Sequence, residues 1–261
     1  MKITEVETIH LSLPDIAQEC NGTQDALLVK IYTDEGFVGI GEVDSSPTVV
    51  RAIFDAPFSH TLACGLRQLL LGEDPLDIER LWEKMYWGTI YFGRRGPAIH
   101  AISGVDIALW DLLGKVTGLP VYQLLGGAYR KRMRVYSSDL MPATPEEAYR
   151  RASELRDAGF TAFKFGWGPL GQSEAQDVAL ISAVRKAIGD EKELMIDIGL
   201  CWDAATAIAR ARRFAEFNLY WIEEPLPPDD IAGYARLADA VDTRIAAGEE
   251  LSTCWEYSDL M

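Results

Sequence analysis

The sequence predicts an α/β protein made of two dissimilar parts, and two patterns support this fold class. Residues 26–33 and 37–43 alternate in polarity on either side of Asp34-Glu35-Gly36, which is typical of a β-hairpin. From residue 133 onward, short apolar runs alternate with amphipathic stretches. That rhythm is expected for the strands and helices of a parallel sheet or barrel.

The first part is predicted to be α+β. A strand over residues 2–12 precedes the hairpin. An apolar stripe at helical spacing predicts a helix over 75–86. Residues 97–115 are apolar on most faces, which predicts a buried helix, and Gly118 marks its end.

The second part is predicted to contain five strands that alternate with four helices. Its boundary is placed at Leu-Leu-Gly-Gly, residues 124–127, which gives domains over 1–126 and 127–261. The predicted strands span 133–137, 161–165, 194–198, 220–223 and 244–248, and the predicted helices span 145–158, 173–188, 203–217 and 229–240.

The charge balance excludes several classes of protein. With 25 basic and 40 acidic residues the net charge is −15, and an acidic surface repels phosphate backbones, so nucleic-acid binding is disfavoured. No apolar run reaches the roughly 18 residues of a membrane helix. The first residues lack the basic-then-apolar pattern of a signal peptide, so we expect a cytoplasmic protein that contacts no membrane.

Three acidic residues close successive predicted strands at equal spacing. Glu223 follows Asp197 by 26 residues, and Glu249 follows Glu223 by 26 residues. That spacing is about the length of one strand–helix unit of a barrel. We therefore expect them to meet at the carboxyl rim of the strands. Converging carboxylates repel unless a cation joins them, and oxygen ligands suit Mg²⁺. The alternative is that these acids cap helices or face solvent.

Lys164 lies on the strand before these acids. Alternation places it on the opposite face from Phe163 and Phe165, which would pack against helices. A lysine inside a barrel beside a metal would have a lowered pKa and could act as a general base. The alternative is a structural lysine paired with one of the acids.

At these residues the chain resembles the enolase superfamily, in its mandelate racemase and muconate-lactonizing enzyme family. The resemblance is carried by Trp221-Ile222-Glu223-Glu224-Pro225, Gly248-Glu249, Asp197, the helix 99–111 and the stretch 120–127. It implies an N-terminal α+β capping domain followed by a (β/α)7β TIM-like barrel. It also implies a mechanism in which Mg²⁺ binds a substrate carboxylate, a base removes the α-proton, and the metal stabilises the enediolate.

The chain departs from the family pattern in three places. Ala162-Phe163-Lys164 replaces Lys-x-Lys, Gly199 replaces the Asn of Asp-x-Asn, and the chain stops after the fifth barrel strand. We therefore expect an incomplete barrel, part of a protein that forms a homo-oligomer when complete. By analogy with relatives, a single lysine together with a histidine on the later barrel strands favours dehydration of a sugar acid. A racemase or epimerase, a cycloisomerase, and a non-catalytic binding or assembly protein are the alternatives.

Two segments of the first part are candidates for substrate-binding loops, because loops at these places close over the substrate in relatives. They are residues 17–24 and 45–60. In the first of them, the polar Asn21 and Thr23 are the candidate contacts. The alternative is that both segments are ordinary exposed loops.

Overall fold

The computed structural model of the protein describes residues 1–17 and 22–261. These residues form two compact units, Met1–Lys131 and Arg132–Met261.

The first unit combines an antiparallel sheet with helices. Its sheet has the order β1-β2-β3, and the predicted hairpin is confirmed by the pairing of β2 with β3. The strands are β1 (Ile3–Ser12), β2 (Asp25–Thr33) and β3 (Val38–Val43), and the helices are α1 (Pro47–Asp55), α2 (Leu66–Leu70), α3 (Ile78–Thr89), α4 (Pro97–Thr117) and α5 (Val121–Leu124).

Helix α4 packs directly on the hairpin because two glycines leave room for it. A Cβ on Gly41 would lie 2.0 Å from the carbonyl oxygen of Gly104, and one on Gly39 would lie 2.0 Å from that of Ala108. Only glycine permits so close an approach of two backbones. The buried apolar residues of α4 and of the sheet thus share one core, and α4 ends where predicted, at a left-handed Gly118.

The second unit alternates strands and helices, as predicted. Its five strands are parallel, in the order β4-β5-β6-β7-β8. The elements are β4 (Ser137–Leu140), α6 (Pro145–Asp157), β5 (Ala162–Gly166), α7 (Glu174–Ile188), β6 (Glu193–Asp197), α8 (Ala204–Phe214), a 3₁₀ turn (Ala215–Phe217), β7 (Trp221–Glu223), α9 (Ile231–Ala240), β8 (Arg244–Ala246) and α10 (Cys254–Leu260).

Several predicted boundaries and elements differ from the structure, among them the end of β8, which lies at Ala246 rather than at residue 248. Residues 45–60 were expected to be a loop, but they contain α1, whose Val50 and Phe54 are buried at i, i+4 spacing. Helix α3 begins at Ile78 rather than at residue 75. Strand β4 begins at Ser137 rather than at 133, because pairing with β5 starts at Ser137 and the apolar side chains before it are exposed. None of the helices in the described ranges has both the length and the hydropathy to cross a membrane.

Candidate metal centre

The parallel register brings the candidate acids to one end of the sheet. Asp197 is the last residue of β6 and Glu223 the last of β7, and the two are register partners. Glu249 does not end a strand, since β8 stops at Ala246 and Glu249 lies in the turn that follows. All three nevertheless lie at or just beyond the carboxyl ends of adjacent strands, where α/β proteins place their ligands.

The three carboxylates converge closely enough to share a cation. Asp197, Glu223 and Glu249 each offer an oxygen, and these oxygens lie within 4.8 Å of one another. Adjacent ligand oxygens of an octahedral Mg²⁺ are about 3 Å apart, so small side-chain rotations would complete such a site. Asp197 is buried, Glu223 is half-buried and Glu249 is exposed, so the group opens toward solvent on the Glu249 side. The donor set therefore fits a hard divalent cation.

The electrostatics of the acids also favour a cation. Burial, followed by the charge of Glu223, raises the pKa of Asp197 above its ordinary value. Burial and then the charge of Asp197 raise the pKa of Glu249 in the same way. Both shifts mean that the ionised carboxylates are disfavoured together, and a bound cation would relieve that repulsion.

Lys164 lies among the same acids. Phe163 and Phe165 are fully buried on the other face of β5, as predicted. The Lys164 ammonium donates a hydrogen bond to Oε1 of Glu223 and lies 3.4 Å from Oδ2 of Asp197. Its side chain is only 12% exposed.

The lowered pKa predicted for Lys164 applies to a lysine beside a bound metal; in the structure two carboxylates act on its ammonium. Burial alone does lower the pKa of the Lys164 ammonium. The hydrogen bond with Glu223 and the charges of Glu223 and Asp197 outweigh burial, so the pKa is raised overall. The ion pair with Glu223 is also the contact expected of the alternative, a structural lysine paired with one of the acids.

Neighbouring residues orient the acids. The indole Nε1 of Trp221 donates to Oε2 of Glu223 at 2.7 Å, so both oxygens of Glu223 have a donor. The amide of Gly199 donates to Oδ1 of Asp197 at 3.1 Å. A Cβ on Gly166 would lie 2.5 Å from the Cβ of Asp197, so glycine at this position leaves room for the Asp197 side chain. These contacts hold the acids in fixed directions.

Strained backbone is concentrated at this edge of the sheet. Trp167, Leu200 and Glu224 follow β5, β6 and β7, and each has a positive φ, of 56°, 67° and 43°. A non-glycine residue in such a region costs about 1–3 kcal/mol and persists where the surrounding contacts require it, as at functional sites.

The departure from Asp-x-Asn has a structural counterpart. Gly199 has a φ of 63°, and a Cβ there would lie 3.2 Å from the ring of Trp167. The indole of Trp167 therefore lies over the glycine, in the space that a side chain at position 199 would need.

Three residues contribute to the site without a role having been predicted for them: Trp221 and Glu224, which are part of the motif of the resemblance, and Tyr234. Trp221 could have been found, since it shares a strand face with Glu223 two residues later. Glu224 is buried although it follows another acid, and the hydroxyl of Tyr234 lies 3.2 Å from its Oε2. The doubled acid at 223–224 was the available signal for Glu224.

The loop candidates fall in the first unit. Thr23 is exposed in the segment before β2, and Asn21 lies outside the described residues.

Two family models match the chain. Residues 3–126 match the N-terminal domain of mandelate racemase and muconate lactonizing enzyme, and residues 147–261 match an enolase C-terminal domain-like model. The chain belongs to the mandelate racemase/muconate lactonizing enzyme family of the enolase superfamily. The fold is therefore an α+β capping domain followed by an incomplete TIM-like barrel. We propose residues 1–126 and 127–261 as the two domains.

Curated relatives and a solved structure agree with this family. The chain is 39% identical to an L-talarate/galactarate dehydratase of Salmonella typhimurium, over 90% of this chain and 57% of the relative. It is 36% identical to a 3,6-anhydro-alpha-L-galactonate cycloisomerase of Streptomyces coelicolor, over 89% of this chain and 63% of the relative. The chain thus spans about three fifths of the length of these relatives. A racemase of Streptomyces coelicolor A3(2), solved with bound magnesium, superposes with a TM-score of 0.85 at 34% identity, covering 99% of this chain and 72% of that one.

Proposed function

We propose that the protein containing this chain is a Mg²⁺-dependent enzyme that removes the α-proton of a carboxylate substrate, and that its reaction is the dehydration of a sugar acid. The observation that carries the proposal is the convergence of Asp197, Glu223 and Glu249 with the Lys164 ammonium at the carboxyl ends of adjacent strands. Three acids and one lysine in that place supply a cation site and a side chain whose neutral amine could take a proton.

The three acids are the proposed metal ligands. When bound, Mg²⁺ supplies positive charge that stabilises the negative charge developing on the substrate carboxylate. Trp221 and Gly199 keep one oxygen each of Glu223 and Asp197 in place, so the ligands are oriented before the metal arrives.

Lys164 is the proposed base, and it would act as the neutral amine. A cation held by Asp197 and Glu223 would oppose the charge effects that raise the pKa of its ammonium. The hydrogen bond to Glu223 holds the nitrogen of Lys164 beside the acids, on the face of β5 opposite the helices. A base must lie within hydrogen-bond reach of the proton that it takes while the substrate carboxylate is held nearby. Lys164 lies near the place where the metal would hold the substrate carboxylate, because its amine is adjacent to two of the proposed ligands.

The substrate class rests on the relatives. A relative named as an L-talarate/galactarate dehydratase supports dehydration of a sugar acid. A relative named as a cycloisomerase, and a solved structure named as a racemase, support the two alternative reactions. All three share removal of the α-proton and differ in the fate of the carbanion-like species, so product analysis separates them.

Two measurements test the proposal. Calorimetric titration with Mg²⁺ should show binding by the wild type and strong weakening in D197N, E223Q and E249Q. Glu191→Gln is the matched control, because it makes the same charge change on an exposed residue before β6 and should leave the affinity unchanged. Equal Mg²⁺ affinity in all of these variants would contradict the metal site.

The reaction is tested by proton NMR of galactarate and related sugar acids incubated with the protein and Mg²⁺. Dehydration predicts a 2-keto-3-deoxy acid. An epimerised or cyclised product would instead support one of the alternative reactions. Unchanged substrate with no α-deuteration in D₂O, across a broad panel, would contradict the enzymatic proposal.

A further inference from the structure

The structure assigns to Glu224 the role of a positioning residue: its buried carboxylate fixes the Gly248–Glu249 turn that carries the third proposed metal ligand. This inference rests on the proposed metal site and deepens it. Glu224 is not among the three converging acids, although it directly follows one of them in the chain.

The contacts of Glu224 point to this turn. Its side chain is only 2% exposed. Oxygen Oε1 accepts hydrogen bonds from two successive backbone amides, that of Gly248 and, at 3.2 Å, that of Glu249. One carboxylate oxygen thus satisfies both donors at the point where β8 has ended and the ladder no longer pairs them.

The turn is also held from its other side. Gly248 has a φ of 124°, a conformation that only glycine adopts readily. The hydroxyl of Tyr257, on α10, donates to the Gly248 carbonyl at 2.8 Å. The amide and the carbonyl of Gly248 are therefore each fixed by a side chain, and the direction in which Glu249 leaves the turn follows from both.

Tyr234 lies beside the far oxygen of Glu224. Its hydroxyl, on α9, lies 3.2 Å from Oε2 of Glu224 and 2.7 Å from the carbonyl oxygen of Leu226. A hydroxyl has one proton, and the shorter distance assigns it mainly to Leu226. The Tyr234 oxygen can therefore accept a hydrogen bond, so an amide at position 224 could donate to it.

Glu223 and Glu224 contact different groups because the backbone turns between them. The Glu223 oxygens receive Lys164 and Trp221, whereas Glu224, at a φ of 43°, directs its carboxylate to the turn after β8. Glu249 is the exposed member of the three acids. Its orientation therefore depends most on how its backbone is held.

A pair of substitutions separates positioning from charge. E224D keeps the negative charge and tolerates a positive φ, but shortens the reach to the two amides. E224Q removes the charge, but its carbonyl still reaches the amides and its NH₂ can donate to Tyr234. In calorimetric titrations with Mg²⁺, positioning predicts a loss of about 10- to 100-fold for E224D, the scale of outer-shell partners. It predicts little change for E224Q.

Stability is controlled with L237A, which opens a cavity on the same helix as Tyr234 and removes none of the hydrogen bonds to the turn. Where L237A and E224D have the same unfolding free energy, L237A should still bind Mg²⁺ with the affinity of the wild type. A readout independent of the metal is amide hydrogen exchange, which should accelerate at Gly248 and Glu249 in E224D but not in L237A or E224Q.

Each outcome has a defined meaning. Weak binding by E224Q together with wild-type binding by E224D would overturn the positioning role and leave the metal site intact. A loss of affinity in L237A equal to that in E224D would also overturn it. A wild type that binds no Mg²⁺ would overturn the proposed function, and this role with it.

Discussion

Replacing Lys164 with Met removes one charge from the candidate metal centre while keeping an unbranched apolar side chain. The ammonium lies 3.4 Å from Oδ2 of Asp197 and hydrogen-bonds to Glu223. The side chains of Lys164, Asp197 and Glu223 are 12%, 4% and 14% exposed, so these charges are largely withdrawn from water. Without the lysine, two acids that already repel each other lose their shared counter-charge.

Two estimates of the cost agree in scale. At an effective dielectric constant near 20, a unit charge pair 3.4 Å apart is attracted by about 5 kcal/mol. Removing one partner of a buried ion pair destabilises proteins by about 3–5 kcal/mol. Since methionine avoids the desolvation cost of the ammonium, we expect K164M to lose about 3 kcal/mol of unfolding free energy without metal.

Mg²⁺ should reverse this loss. A bound divalent cation supplies the missing counter-charge, and in K164M it no longer competes with the ammonium for the same oxygens. Because a ligand that binds only the folded state stabilises it by mass action, Mg²⁺ should raise the unfolding free energy more in K164M than in the wild type.

The assay is urea unfolding followed by circular dichroism, with and without saturating Mg²⁺. Lys186→Met, at an exposed position on α7, is the matched control and should change neither value by more than about 0.5 kcal/mol. A loss below about 1 kcal/mol in K164M, or equal stabilisation of both proteins by Mg²⁺, would refute the view that lysine and metal share these carboxylates.

Three further predictions concern the scaffold. Gly41→Ala should cost at least about 1–3 kcal/mol, measured as a lower Tm, because its Cβ would lie 2.0 Å from the Gly104 carbonyl. Thr144→Ala should cost about 1 kcal/mol in urea unfolding, since the Thr144 side chain accepts from the Glu147 amide. Burial raises the pKa of Asp177, so wild-type stability should fall as pH rises from about 4 through the folded-state pKa, relative to D177N, in urea midpoints compared across pH.

Local patterns were enough to predict most of the architecture. The hairpin, the long helix α4 and the strand–helix alternation were all visible as periodicities of two and of 3.6. Capping residues placed helix ends well, as at Thr144 and Gly118. The equal spacing of Asp197, Glu223 and Glu249 predicted their convergence, because equivalent positions in successive units meet at one edge of a parallel sheet.

The features that the sequence concealed depend on contacts between distant residues. Helix α1 was missed because its apolar stripe is short, although Ser46 at the N-cap and Pro47 at the first position are a start signal that the sequence offered. The raised pKa of Lys164 follows from two carboxylates 33 and 59 residues away. Glu224 was missed because strand alternation says nothing about a residue whose φ is positive.

The most direct test of the central account is α-proton exchange in D₂O, followed by proton NMR on a sugar acid that the protein accepts. With Mg²⁺ present, the wild type should replace the α-proton with deuterium or form a product that contains deuterium. K164M should retain Mg²⁺ binding but lose about 10²- to 10⁴-fold or more in exchange rate, the scale for a positioned base. Exchange at the wild-type rate in K164M, or in wild type stripped of Mg²⁺, would contradict the account.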